Sequence, residues 1–220
     1  MTVAPSTSVP FATAGLDPLQ LPGTLRLTPE QFELVCQANP NAVLELAADG
    51  QLIAMSPTGS ETSARNSNLA FLLGLAVQRS SLLLKIFDSS GGFRLPDGSV
   101  LSPDASLVRL DRWQALTPEQ RRTFAPLCPD LVVELASPSV AAGFSEGVEG
   151  PRGVSALRQK MATYRANGAR LGWLLLPDQQ AVEIWRVDQA EPERIEPATE
   201  LDGGKQFPGL VIDLAEVWAA

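Results

Sequence analysis

The sequence contains no histidine among its 220 residues. The absence of histidine excludes Ser-His-Asp and Cys-His catalysis, histidine-ligated zinc and haem with a histidine ligand. The only two cysteines, Cys36 and Cys128, form no CxxC pair. A metal ion would therefore rest mainly on carboxylate and carbonyl oxygens, which favours Mg²⁺ or Mn²⁺.

Long hydrophobic runs are also missing. The longest apolar stretch, Leu69 to Val77, falls far short of the roughly 20 residues that span a bilayer. The N-terminus has no basic segment typical of a secretion signal. Two cysteines fit a reducing compartment. We therefore expect a cytoplasmic protein that does not bind membranes.

Positive charge is scarce. The net charge is −8 and the isoelectric point is about 4.6. This argues against a protein held to DNA by overall charge, although a local basic channel can still contact phosphate. The chain has three lysines, Lys85, Lys160 and Lys205, so a lysine beside an apolar helix stripe needs an explanation.

Hydrophobic residues make up 45% of the chain, which is enough for a substantial core. Residues 1–23 are rich in Pro, Ser, Thr and Ala and predict a flexible N-terminal arm. Residues 24–220 are expected to form a single domain, interrupted by a flexible Gly-rich loop at about 140–154.

The predicted helices begin at recognisable start signals. Thr28-Pro29-Glu30-Gln31 and Thr117-Pro118-Glu119-Gln120 both have the pattern of a capping box with proline in the first turn. Periodicity predicts further helices over 61–79, 155–167 and 211–218. Gly168 is expected to end the second of these in the left-handed conformation.

The predicted strands form three hairpins and two single buried strands. The hairpins pair 42–46 with 51–55, 93–95 with 100–108, and 171–176 with 181–187; the single strands cover 82–87 and 130–136. Residues 188–208 are polar and predict irregular structure. Together these elements predict an α/β (α+β) fold with a central mixed β-sheet flanked by helices. The expected core comprises Leu72, Leu75, Val132, Leu135, Tyr164, Trp173, Leu175 and Trp185.

One acid lies inside an apolar strand. The stretch CPDLVVELASPS puts Glu134 among β-forming residues, where a carboxylate is costly without a compensating cation or hydrogen bonds. Side chains alternate along strands, so Glu134 shares a face with Val132, and Asp104 shares a face with Ser106. If the two strands are neighbours, Asp104 and Glu134 converge, and they would then share a proton or bind a cation.

The helix predicted over 155–167 adds basic residues. Leu157, Met161 and Tyr164 form its apolar stripe, and Lys160 lies at the margin of that stripe on the Tyr164 side. Two arginines, Arg158 and Arg165, lie on the opposite flank, where they could meet phosphates, and Tyr164 is a further candidate for a phosphate contact. The more ordinary interpretation of the two arginines is a solvated helix flank. The more ordinary interpretation of Lys160 is a surface lysine whose aliphatic stem packs on Tyr164.

Four segments together resemble a known family: LELAADGQLIAMSPTGSET (44–62), FDSSGGFRLPDGSVLSPDASLVRLDRW (87–113), CPDLVVELASPS (128–139) and LRQKMATYRANGARLGWLLLPDQQAVEIWR (157–186). Their order and spacing, over about residues 25–218, resemble the PD-(D/E)xK nuclease superfamily and, more closely, its Uma-type family of restriction endonucleases. The resemblance implies a restriction-endonuclease-like core that hydrolyses phosphodiester bonds of DNA with Mg²⁺, for which Mn²⁺ can substitute. It also suggests a homodimer.

The resemblance further implies roles for individual residues. Asp104 and Glu134 would be the metal carboxylates, with Glu45 as an additional acidic residue of the site. The sequence departs from the superfamily at Ala136, where the pattern has lysine, and Lys160 on the following helix is the expected substitute. The departure leaves a second interpretation open, in which a nuclease-like scaffold without catalysis binds nucleic acid or a protein partner.

Overall fold

The computed structural model describes residues 22–55, 58–137 and 153–219. The arm predicted over 1–23 and the loop predicted over 140–154 lie almost wholly outside the described residues. Both are left as predictions from composition.

Helices begin where the start signals predict. Thr28 and Thr117 each accept a hydrogen bond from the backbone N–H three residues later, and the glutamine at that position accepts from the N–H of the threonine. Gly168 follows the fifth helix with φ of 105°. None of the described helices combines the length and hydropathy needed to cross a bilayer. The helices are α1 Pro29–Ala38, α2 Ser60–Arg79, α3 Leu110–Gln114, α4 Pro118–Arg122, α5 Val154–Ala166 and α6 Ala215–Trp218.

The strands of the described residues form three sheets. In chain order they are β1 Val43–Leu46, β2 Leu52–Met55, β3 Leu84–Asp88, β4 Phe93–Arg94, β5 Val100–Leu101, β6 Ala105–Arg109, β7 Leu131–Leu135, β8 Leu171–Leu176, β9 Ala181–Arg186, β10 Glu193–Ile195, β11 Glu200–Asp202 and β12 Val211–Asp213. The central sheet has six strands in the order β10-β9-β8-β7-β6-β3. It is mixed, because β7 and β8 are parallel whereas its other pairs are antiparallel. The predicted fold class is confirmed.

Two smaller sheets account for most of the differences from the prediction. A four-stranded sheet has the order β2-β1-β5-β4, and β11 pairs with β12. The single strand predicted over 100–108 was wrong. The chain leaves β5 and enters β6 in a different sheet, and the change occurs around Pro103, which has no N–H for a strand ladder. The helix predicted over 211–218 was wrong in its first half, where β12 precedes the short α6.

The hydrophobic core covers both faces of the central sheet. Most predicted core residues are buried: Val132, Leu135, Tyr164, Trp173, Leu175 and Trp185. The interior stripe of α2 was predicted one step out of phase, since Leu69, Leu73 and Ala76 point inward, while Leu72 and Leu75 are half-buried. The strand predicted as buried over 82–87 became β3, whose edge position leaves it partly exposed.

Helix α5 lies close to the central sheet because β8 contains Gly172. A Cβ atom at this position would lie 2.3 Å from the Met161 methyl carbon and 3.4 Å from a Val132 methyl carbon. The missing side chain therefore lets α5 settle against the strands. This close contact brings the side chains of α5 within reach of Glu134 on β7.

Candidate active site

Asp104 and Glu134 lie on neighbouring strands of the central sheet. Strands β6 and β7 are antiparallel, with Ala105 opposite Val133, so continuing the register by one residue puts Asp104 opposite Glu134. The Asp104 carboxylate accepts hydrogen bonds from the Leu135 N–H at 2.8 Å and the Asn66 side-chain amide at 3.1 Å. The strands that carry Asp104 and Glu134 are therefore neighbours, as the sequence analysis requires for the two acids to converge. The hydrogen bond from Leu135 holds the Asp104 carboxylate against β7.

The Lys160 ammonium group lies between two buried carboxylates. Its Nζ atom is 2.9 Å from Glu134 Oε1 and 2.7 Å from Glu45 Oε1, and it donates to the Ser102 carbonyl oxygen at 3.0 Å. An ammonium group has three N–H donors, so each donor has an acceptor. Lys160 is the cation that compensates for the burial of Glu134, and it comes from a helix rather than from position 136, just after β7.

Glu45 joins the smaller sheet to the site. It lies on β1, its side chain is 4% exposed, and it accepts the Ser102 N–H at 2.8 Å as well as the Lys160 ammonium. Ser102 belongs to the short connection between β5 and β6. Its backbone N–H donates to Glu45 and its carbonyl oxygen accepts from Lys160, so one residue contacts both partners of the ion pair. These contacts connect the two sheets at this point.

Tyr164 lies one turn beyond Lys160 on α5 and is fully buried. Its hydroxyl donates to Glu134 Oε1 at 3.3 Å, and the Lys160 ammonium lies 5.9 Å from the centre of its ring. The side chain helps to satisfy Glu134. A contact of Tyr164 with phosphate stays a prediction. In the structure the Tyr164 hydroxyl donates to the Glu134 carboxylate.

The two arginines of α5 make protein contacts away from this cluster. Arg158 Nε donates to both carboxylate oxygens of Glu183 at 3.1 and 3.0 Å. Arg165 donates to the carbonyl oxygens of Gln189 and Ala190, and its guanidinium lies 5.2 Å from the centre of the Trp185 ring. The predicted contacts of Arg158 and Arg165 with phosphate stay predictions.

The Glu134 carboxyl has an unusually high pKa. Burial is the main cause and raises it to about 8; the charges of Asp104 and Glu45 also raise it, while Lys160 lowers it. For Lys160, burial lowers the pKa, but the Glu134 and Glu45 carboxylates outweigh burial and raise it above its ordinary value. Lys160 is therefore charged at neutral pH. Glu134 takes up a proton there unless another cation is close.

This pKa predicts a pH dependence of folding. The unfolded Glu134 ionises near 4.5, whereas the folded group ionises near 8, so the folded state binds more protons between these values. Its contribution to stability is present below pH 4.5 and is lost as pH rises through 8. We expect the metal-free protein to lose up to about 1.4 kcal/mol per pH unit in this window. Urea unfolding in EDTA should show a shallower decline for Glu134→Gln. An equal decline in both proteins would contradict the prediction.

The acids present fit one kind of metal site. Among the described residues, no group of three or more Asp, Glu or Cys side chains is arranged to hold a metal ion. Asp104 and Glu134 offer two carboxylates. Mg²⁺ is commonly held through one or two carboxylates, with water and substrate phosphate as the remaining ligands. The pair therefore fits Mg²⁺ better than an ion that needs a full set of protein ligands.

Two contributors to the site were missed in the sequence analysis. Asn66 on α2 donates to Asp104, and Ser102 binds both Glu45 and Lys160 through its backbone. Asn66 was missed because the inward stripe that it shares with Leu69 and Leu73 was predicted out of phase, so the sequence did not place this polar side chain on the buried face. The role of Ser102 has no sequence signal, since any residue carries the same backbone groups.

The ion pair between Arg158 and Glu183 anchors the other flank of α5. Pairing across β7, β8 and β9 puts Glu183 in the same row as Glu134, with Leu174 between them. The Glu183 side chain is 4% exposed and that of Arg158 is 47% exposed. Strands are spaced by about 4.8 Å, so α5 is held by ion pairs at two points roughly 10 Å apart on the sheet.

This asymmetry in exposure predicts unequal effects of removing each partner. Arg158→Met leaves a buried carboxylate with Arg194 3.5 Å away as its remaining partner, so we expect a loss of about 2 kcal/mol, below the ~3–5 kcal/mol of a fully buried pair. Glu183→Gln leaves the guanidinium groups of Arg158 and Arg194 without this partner, but water can reach both. This variant should lose less than about 1 kcal/mol of unfolding free energy. Chemical denaturation of both variants measures the difference. Equal losses would show that burial of Glu183 does not set the cost.

The mixed six-stranded sheet and its flanking helices define an α/β protein. The fold is similar to that of a crystal structure from Anabaena variabilis described as a putative nuclease belonging to DUF820. The TM-score is 0.64 at 18% sequence identity, and the match covers 88% of this chain and 98% of that chain. At this identity the likeness shows the fold alone.

The sequence identifies the family more closely. Residues 29–215 match the Uma2 family, described as "Putative restriction endonuclease", and the chain belongs to this family. The resemblance expected from the four sequence segments is thereby confirmed. No curated protein matches the sequence.

Proposed function

We propose that the protein is a Mg²⁺-dependent endonuclease that hydrolyses phosphodiester bonds of DNA. The observation that carries the proposal is the position of Asp104 opposite Glu134, with the Lys160 ammonium 2.9 Å from Glu134. Family membership supports a nuclease. The residues that do the work are Asp104, Glu134 and Lys160, with Glu45 in support.

Charge balance supports a divalent ion. When all groups are ionised, the carboxylates of Asp104, Glu134 and Glu45 and the ammonium of Lys160 together carry a net charge of −2. A buried cluster with that charge is unfavourable, and a proton on Glu134 relieves only part of it. Two positive charges beside Asp104 and Glu134 neutralise it fully and favour the ionised form of Glu134.

Each residue would have a distinct task. Asp104 and Glu134 hold Mg²⁺, which when bound polarises a phosphate and lowers the pKa of water. Lys160 orients the attacking water or stabilises negative charge that develops on the phosphate oxygens. Glu45 and the Ser102 backbone keep the Lys160 ammonium in place. A pocket of about 340 Å³ borders Glu45 and Lys160; its lining does not include Asp104 or Glu134.

Cleavage of supercoiled plasmid tests the proposal. We expect nicked and then linear DNA in Mg²⁺ or Mn²⁺ and none in EDTA. The reaction should be strongest at low salt, because contacts between local basic side chains and DNA phosphates weaken as salt rises. A folded, pure protein that leaves plasmid, linear duplex and single-stranded DNA intact in both metals would refute the nuclease proposal.

A second candidate is a nuclease-like scaffold that binds nucleic acid or a protein partner without catalysis. The observation in its favour is that all three N–H donors of Lys160 have acceptors within the protein, so the lysine can act purely as a structural cation. Calorimetry with Mn²⁺ separates the candidates. Binding that Asp104→Asn abolishes supports the nuclease, whereas a folded protein that binds no Mn²⁺ supports the scaffold.

A further inference from the structure

Arg65 on α2 is buried and has no role in the proposed site. Its side chain is 10% exposed, and its Nη2 atom lies 2.6 Å from Glu61 Oε1. The other two guanidinium nitrogens, Nε and Nη1, are buried and have no hydrogen-bond partner in the described structure. A buried charged donor that lacks an acceptor has lost its hydration without compensation. Such a group calls for a ligand.

The position of Arg65 connects it with the acidic cluster. The next residue, Asn66, donates to Asp104 at 3.1 Å. Thr62, three residues before Arg65, has its hydroxyl 3.4 Å from the hydroxyl of Ser137, which follows the end of β7. Arg65 therefore belongs to the part of α2 that lies against the carboxyl end of β7, the same end at which Glu134 lies.

The first turn of α2 favours an anion. The contact of Arg65 with Glu61, four residues earlier, shows that the guanidinium lies over this turn. The cap residue is Gly59, and no side-chain cap is present among the described residues. The first N–H groups of a helix have no acceptor within it and carry partial positive charge, which attracts oxyanions.

We infer that Arg65 and the first turn of α2 bind a phosphate oxyanion of nucleic acid, next to the phosphate at Asp104 and Glu134. The Nε and Nη2 atoms form one edge of the planar guanidinium, so an oxyanion that replaces Glu61 at Nη2 also meets Nε. Glu61 is 60% exposed, and ion pairs with such an exposed partner are weak and readily exchanged. The inference rests on the proposed function for the identity of the ligand as nucleic acid.

Inorganic phosphate tests the anion site without any nuclease chemistry. We expect phosphate in EDTA to raise the melting temperature of the wild-type protein above that in chloride of equal ionic strength, because a ligand of the native state stabilises it. Arg65→Gln should lose this rise. Glu61→Gln should enlarge it, since the competing carboxylate is gone. Arg79→Gln is the matched control, because it removes the same charge from the exposed last turn of α2, and it should respond like the wild type.

The outcome stays readable if stability itself changes. Arg65→Gln removes an incompletely paired buried charge, so its melting temperature in chloride should equal or exceed that of the wild type. Should that variant not fold, Arg65→Lys serves in its place, since it keeps the charge but lacks the planar edge and should lose most of the response. A phosphate response that is absent from the wild type, or equal in the wild type and the Arg65 variants, overturns the inference.

Single-stranded oligonucleotides in EDTA identify the source of the phosphate. If it is a backbone diester, Arg65→Gln weakens binding roughly tenfold, and the salt slope falls by about 0.7, for oligonucleotides with either a 5′ hydroxyl or a 5′ phosphate. An effect limited to the 5′-phosphorylated strand assigns the site to a terminal phosphate. Equal binding by wild type and Arg65→Gln overturns the inference.

These measurements separate the two proposals. Arg65-dependent binding by a protein that never cleaves DNA refutes the nuclease and keeps the anion site. DNA cleavage by a protein whose binding does not depend on Arg65 supports the nuclease and refutes the anion site.

Discussion

Asp104→Asn and Glu134→Gln are each expected to lower metal-dependent plasmid cleavage by at least about a hundredfold. Both changes keep the shape of the side chain and remove the charge that would hold Mg²⁺. A bound divalent ion contributes several kcal/mol to phosphate cleavage, and each 1.36 kcal/mol is a factor of ten in rate. The initial rate of supercoiled plasmid loss in Mg²⁺ measures the effect, and calorimetry with Mn²⁺ should show weakened binding in both variants.

Glu183→Gln is the matched control for these two variants. Glu183 is as buried as Glu134 and lies in the same row of the sheet, but its partners are Arg158 and Arg194 rather than Lys160. We expect this variant to cleave at close to the wild-type rate. Wild-type cleavage by Asp104→Asn and Glu134→Gln would refute the assignment of these two acids, and an equal loss in Glu183→Gln would point to general disruption of the fold.

Lys160→Met is expected to abolish cleavage and also to destabilise the protein by about 3–5 kcal/mol. Removing one partner of a buried ionic group leaves the other uncompensated, and here both Glu45 and Glu134 lose their cation. The loss should be larger at pH 9 than at pH 6. Without Lys160 the pKa of Glu134 rises further, so above about pH 8 the folded variant still holds a proton that the folded wild type has released, and its stability continues to fall with pH.

Two further variants separate the structural and chemical roles of Lys160. Glu45→Gln removes one acid of the cluster, so the double variant Lys160→Met/Glu45→Gln should recover part of the lost stability and none of the cleavage. Lys160→Arg keeps the charge, but its planar group cannot copy three bonds that converge on one atom, and it should retain more stability than activity. If Lys160→Met folds with wild-type stability and cleaves DNA, Lys160 has neither role.

Local signals predicted much of the fold. Both capping boxes and the first hairpin depend on contacts between residues close in the chain, which the sequence displays directly, and the buried strand around Glu134 is marked by its run of apolar residues. The break at Pro103 was missed because hairpin signals do not say which sheet receives the second strand. The phase of α2 was missed because apolar residues occur all around Leu69 to Val77. Several faces of that helix could therefore have been the buried one.

By itself, the sequence determined the kind of chemistry that is available. A chain with no histidine and three lysines has few cations other than arginine to set beside its acids, and the apolar neighbours of Glu134 already required a cation or hydrogen bonds. Only the tertiary structure decided which cation that is. Lys160 reaches Glu134 and Glu45 because α5 crosses the sheet at Gly172 and Ser102 holds both partners. The burial of Arg65 was likewise invisible in the sequence, because the packing of a helix face depends on strands far along the chain.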